Sequence, residues 1–172
     1  MERIDPPAAA GEKDTLLAFL QFHRDTLLGK VDGLSAERLR TRSTVSSLTL
    51  AGLLKHLALV EESWLVERFL GLDIPQPWAE VDFDTDPEWE FRTALGDDPE
   101  WLIARYRRAW ERVDGIVADA DLAALSAEEV RIDDRRERVS LRWILVHLIE
   151  ETARHNGHAD LLREAIDGAT GE

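Results

Sequence analysis

No cysteine occurs in the 172 residues, so disulfides, thiolate nucleophiles and cysteine-based zinc sites are all excluded. Positive charge is scarce relative to negative. The 21 Lys and Arg stand against 35 Asp and Glu, a formal net charge of −14 with His neutral. Binding to a nucleic-acid backbone rests on Lys and Arg neutralising phosphates, so this excess argues against nucleic acid as a partner. An anionic membrane surface is disfavoured for the same reason. Apolar runs are short: none approaches the roughly 20 residues of a membrane span, and Met1–Gly11 lacks the apolar stretch of a signal peptide. The expectation is an acidic, soluble, cytoplasmic protein. With 44% apolar residues, the chain suits one domain with a sizeable core. Any catalysis has to come from His, Glu, Asp, Ser or a bound ion.

What is present reads as helices. Pro6, Pro7 and a run of small residues mark 1–11 as a flexible arm. From Glu12 to Val31, Leu16, Phe19, Leu20, Leu27 and Val31 recur at helical spacing until Gly33 interrupts them, and Ser35 opens a short helical turn. A second helix is expected from Thr49 to Leu70, with Leu50, Leu53, Leu57, Val60, Trp64 and Leu65 apolar and Gly71 placed as its C-terminal stop. The period fails between Leu72 and Pro99, where Pro75, Pro77 and Pro87 stand among Asp and Trp. That predicts a long ordered loop with short turns around Trp89–Leu95, and loops of this length are often functional. Pro99 opens a third helix to Asp119, with Leu102, Tyr106, Trp110, Val113 and Val117 apolar. The charged stretch 122–139 is expected to hold a short strand or hairpin near Val130 and Val139. Ser140 then caps a fourth helix from Leu141 to Ile166, ended by Gly168. Four long helices without sustained strand alternation predict an all-α helical bundle in one domain, residues 12–168.

Polar residues occupy faces that should be apolar. At about 100° per residue, His147, Glu151, His155 and His158 fall within roughly 80° of one another on the fourth helix. They share that face with Trp143, Ile144, Leu148, Leu161 and Leu162, so they point into the interior or along its edge. A carboxylate placed there is costly unless something compensates it. On the second helix His56 is central to the face made by Leu53, Leu57, Leu59, Val60 and Trp64, with Gly52 and Ser63 leaving space beside it. On the first, His23 lies between Phe19, Leu20 and Leu27.

A metal ion would offset several of these costs together. Glu151 and His155 are four residues apart and converge from consecutive turns, and His56 from a facing helix supplies a third donor. Three N and O donors leave an open position, the catalytic arrangement of zinc, although nickel, iron and cobalt accept the same donors. His147 or His158 would serve as a supporting partner or an alternative ligand. The plainer readings are a hydrogen-bonded Glu151–His155 pair, a core histidine at His23, Trp residues as core or loop anchors, and a solvated acidic loop at Asp82, Asp84, Asp86 and Glu88. Other chemistries are absent from the sequence. It contains no Glu-x-x-His pair, no His-Glu-x-x-His, no glycine-rich phosphate loop and no Gly-x-Ser-x-Gly elbow.

The stretch LTLAGLLKHLALVEESW at 48–64 resembles the second helix of the DinB-like, metal-dependent four-helix-bundle superfamily, and LRWILVHLIEETARHNGHADLLRE at 141–164 resembles its last helix. With GLSAERL at 33–39, the resemblance covers nearly the whole domain and points to the actinobacterial branch that includes mini-circle proteins. It implies an up-down-down-up bundle, frequently dimeric, and kinship with S-transferases that use bacillithiol or mycothiol and with a mycothiol-dependent maleylpyruvate isomerase. The ligand positions of that superfamily correspond here to His56, Glu151 and His155. Many members have His where this chain has Glu151, and the isomerase-like ones place Glu there. The implied cofactors are a divalent metal, zinc first with nickel or iron as alternatives, and a low-molecular-weight thiol. The implied reaction is conjugation of that thiol to a small electrophile, with His147 and His158 as catalytic proton acceptors and Arg154 and Arg142 binding an anionic group of the thiol. Competing classes are a metal-dependent hydrolase of a small substrate and a non-catalytic stress protein that binds metal or a small ligand.

Overall fold

The computed structural model describes residues 3–170, and they are mostly helical. The first long helix, α1 (Glu12–Val31), lies where its apolar spacing predicts. Ser35 caps the short α2 (Ala36–Leu39) by accepting from the Arg38 amide. Thr49 does the same for α3 (Leu50–Glu62), its hydroxyl accepting from the Gly52 amide at 3.1 Å. The expected uniform helix to Leu70 is not what forms. After Glu62 the backbone widens into a π-helical segment, Ser63–Phe69, with Leu70 N–H reaching back five residues to the Leu65 carbonyl. Such widened turns recur at functional sites because they re-aim the side chains that follow. Gly71, at φ 67°, ends the run in a conformation that only glycine adopts freely, and a Cβ there would lie 2.9 Å from Ala127 Cβ.

The expected turn around Trp89 is helix α4 (Trp89–Thr93). Asp98 caps α5 (Pro99–Asp119), its carboxylate accepting from the Glu100 and Trp101 amides, and Pro99 sits in the first turn. A two-stranded antiparallel hairpin follows, β1 (Val130–Ile132) and β2 (Arg135–Glu137), so Val139 falls just outside it. The last helix, α6 (Leu141–Asp167), begins under Ser140 and stops at Gly168 in the left-handed region.

Helix α1 packs along α6, α3 packs along α5, and α3 also meets α6. One core cluster gathers Leu53, Leu57, Leu102 and Tyr106; another gathers Leu65, Val113, Ile144 and Leu148. The buried stripe of α6 runs through Ile144, Leu145, Leu148, Thr152, His155, Asn156, Ala159 and Leu162. Trp143 and Leu161, expected on that face, are 37% and 62% exposed. The stripe is thus rotated from the expected one, and it leaves His147, Glu151 and His158 at the core's edge. No described helix is long and apolar enough to cross a membrane.

The segment 72–98 is tied to α3 by buried polar contacts. Trp78 is 1% exposed and its indole N–H donates to Glu62 at 2.7 Å. Lys55 pairs with Asp97 at 2.5 Å, donates to Thr93 at 2.8 Å and lies 4.3 Å from the Trp89 ring centroid. A buried amine or carboxylate needs such partners, and these draw α4 against the middle of α3. Beside them, Glu61 and Glu62 point to different neighbours: Glu61 meets Arg24 of α1 at 2.5 Å, and Glu62 meets Arg105 of α5.

Candidate metal centre

His56, on α3, faces Glu151 and His155 on α6, and one ligand atom from each lies within 4.8 Å of the other two. His56 Nε2 is 3.8 Å from Glu151 Oε1, and His155 Nε2 is 3.9 Å from the same oxygen. These separations are too long for hydrogen bonds and suit atoms that share a central cation.

Each imidazole has its other nitrogen engaged. His56 Nδ1 is 3.0 Å from Glu90 Oε1, a carboxylate that accepts only, so Nδ1 carries the proton and Nε2 presents a lone pair. His155 Nδ1 is 3.3 Å from His158 Nδ1, which can fix His155 in the same tautomer. Two lone pairs and a carboxylate oxygen then converge on one point, and acceptors converging without a donor require a cation between them. The donor set fits a divalent metal, with carboxylate and imidazole partners behind the ligands as such sites have.

Charge behaves accordingly. The facing His56 ring is the main influence holding the Glu151 carboxyl below its ordinary range, against the effect of burial. Burial, then the neighbouring His56 charge, push His155 down to about 4. Burial also opposes charge on His56, but Glu151 and Glu90 together outweigh it and raise its pKa. A proton on His56 and a metal ion therefore compete for the same place.

Two neighbours shape the site. Phe91 stacks on His56 with ring centroids 4.8 Å apart and planes at 24°. It fits because position 52 is glycine: a Cβ there would stand 3.0 Å from Phe91 Cδ1. The space that Gly52 leaves beside the imidazole is filled by this ring.

The remaining sequence-derived candidates are dispersed. His147 is held between Trp143, stacked at 5.3 Å and 13°, and Trp64 at 4.6 Å; burial lowers its pKa. It lies one turn before Glu151 on the same face but outside the group of three. His158 stands behind His155. Arg142 pairs with Glu12 and Arg154 with Glu150, each at 2.5 Å and at the surface. His23 is elsewhere and half-buried rather than in the core, its backbone carbonyl accepting from Asn156 Nδ2 at 2.9 Å. Glu90 and Phe91 escape sequence reasoning. Their only trace in the sequence is one acidic residue between two aromatics in a proline-rich loop, and the fold alone brings them to His56.

The Mycothiol-S-transferase family matches residues 15–168. Among solved structures, the fold is similar to that of a conserved protein from Enterococcus faecalis, at 14% identity and a TM-score of 0.66, covering 94% of this chain and 100% of that one. Comparison with curated proteins finds no match.

Proposed function

This chain belongs to the mycothiol S-transferase family, and from that membership and the His56–Glu151–His155 geometry we propose a metal-dependent enzyme that joins a mycothiol-type thiol to a small electrophile. The observation that carries the reading is the convergence of two imidazole lone pairs and a carboxylate oxygen within 4.8 Å. A divalent cation held there, zinc first and nickel or iron as alternatives, supplies the positive charge that makes an entering thiol acidic.

The chain's own residues do the rest. Glu90 holds His56 with Nε2 inward, and His158 stands 3.3 Å behind His155 Nδ1. Glu151 stays ionised because its carboxyl lies below the usual range. His147, its pKa lowered by burial, is neutral at pH 7 and able to take the thiol proton; His158, beyond His155, is the second candidate base. Arg142 and Arg154 are the groups for an anionic end of the thiol. Their exposed ion pairs with Glu12 and Glu150 are worth little, so either guanidinium can turn to a ligand.

In the same reading, residues 12–168 form one DinB-like domain, an up-down-down-up four-helix bundle, working in the cytoplasm as a homodimer. The expected flexible arm is 1–11, of which Met1 and Glu2 lie outside the described residues. The test is to measure bound metal in the purified protein and then product formation from a panel of electrophiles with and without added thiol. Thiol-dependent conjugation is expected. Product that forms regardless of thiol would replace this reading with hydrolysis, and metal binding without turnover would leave a binding protein.

A further inference from the structure

A cleft of about 490 Å³ opens along α3 beyond His56, between the helix and the segment 74–83. Val60 and Trp64, one and two turns on from His56, line it together with Leu59. The opposite wall is Ile74, Val81 and Phe83, over a floor of buried Trp78. Its charged residues, Glu67 and Arg68, are paired with each other at 3.2 Å, and Arg68 also lies 5.0 Å from the Trp64 ring centroid. The cleft is therefore walled by half-buried apolar and aromatic side chains and offers no unpaired charge.

Its Trp64 wall reaches toward the candidate metal centre through His147. Trp64 packs on His147, which is one turn from Glu151 on α6, so the aromatic wall and the ligand face run side by side. Volume in this range suits a small organic molecule, and aromatic walls select planar rings by stacking and by burial of apolar area.

We propose that this cleft binds the electrophile, and that the substrate class is a neutral, planar aromatic compound whose reactive carbon points toward His56 and Glu151. The assignment of that compound as electrophile rests on the transferase reading; the assignment of the cleft as an aromatic-binding site does not. With 1-chloro-2,4-dinitrobenzene as a probe, the thiolate sulfur attacks the carbon bearing chlorine. The C–S bond forms, the C–Cl bond breaks, chloride leaves with the electron pair, and the thiol proton passes to a base or to solvent.

The experiment uses the full-length, metal-loaded protein and the variants Phe83→Ala, which removes a wall, and Ile74→Trp, which fills the cleft. Both positions are in the half-buried segment outside the helices, and circular dichroism checks the fold. Calorimetry measures the Kd of 1,3-dinitrobenzene, the unreactive counterpart lacking chloride, and kinetics compare kcat/KM for the chloro compound with that for iodoacetamide. In each variant the Kd is expected to rise about tenfold and the aromatic-to-aliphatic ratio of kcat/KM to fall by a similar factor, through loss of an aromatic contact in Phe83→Ala and occlusion of the cleft in Ile74→Trp. An unchanged Kd and ratio in both variants, with conjugation intact, overturns the cleft assignment and leaves the transferase reading standing. A raised Kd without thiol-dependent product for either electrophile upholds the cleft as an aromatic site and overturns the transferase reading.

Discussion

Glu61 and Glu62 are buried near one end of α3, and each carboxylate there has a guanidinium against it; one turn or so back, His56 meets Glu151 at 3.8 Å, and among the described residues no Lys or Arg pairs with that carboxylate. In the first region every charge is answered within the chain. Arg24 binds both oxygens of Glu61 and adds Asp114 at 2.8 Å, and burial, which works against its charge, is outweighed by these partners. In the second, Glu90 turns the His56 lone pair inward and supplies no positive charge to meet it. The first cluster is the more deeply buried, and only it is electrically closed. A closed buried cluster holds elements together, whereas an open one is a place for something to bind.

The largest effect should come from opening the closed cluster. Glu61→Ala strands the Arg24 guanidinium in the core and is expected to lower stability by about 3–5 kcal/mol in denaturant unfolding. Replacing both partners by apolar residues, Arg24→Met with Glu61→Leu, should cost far less. A result in which the double replacement is as damaging as the single one would mean that the pair does more than compensate itself.

At the open cluster the order reverses. Glu151→Gln should leave metal-free stability within about 1 kcal/mol, because the side chain is partly exposed and makes only long contacts. It should weaken divalent-metal binding about 100-fold, read by competition with a chelating dye. A variant that binds metal as the parent does would remove Glu151 from the ligand set. Glu90→Gln replaces no proposed ligand, yet it should weaken metal binding by roughly 10-fold, since a carboxylate behind a histidine orients the ring and raises its basicity.

The smallest effect is on pH dependence. The folded pKa of His155, about 4, is below its ordinary 6.5, so between those values the unfolded chain binds more protons than the folded one. Stability of the metal-free protein contributed by this group is therefore intact above pH 6.5 and lost as pH falls toward 4. His23 and His147, also lowered by burial, act in the same direction, while His56, raised, acts oppositely. The expected outcome is a melting temperature several degrees lower at about pH 4.5 than at about pH 7, with a shallower slope in His155→Gln. A parallel slope in that variant would locate the dependence elsewhere.

The length and ends of the long helices are legible in the sequence, because caps and breakers act locally. Asp98-Pro99, Ser140 and Gly168 stand where α5 and α6 start or stop. The spacing of Glu151 and His155 places them on one face of one helix, and the apolar setting of His56 marks it as anomalous. The widening of the helix after Glu62 is not legible in this way, since a π-helical turn carries no periodicity of its own. Nor is the rotation of α6 that exposes Trp143 and Leu161, which depends on where α1 and α3 lie against it.

By itself the sequence determined that this is a cysteine-free, acidic, helical chain with imidazole and carboxylate set at helical spacing. These are properties of composition and of contacts within one or two turns. Tertiary structure alone decided that His56 and Glu151, 95 positions apart in the numbering, face one point, that Glu90 turns the Nε2 of His56 inward, and that Glu61 and Glu62 find arginines while Glu151 does not. Those outcomes depend on which helices become neighbours, and the free energy of that choice is spread over the whole core.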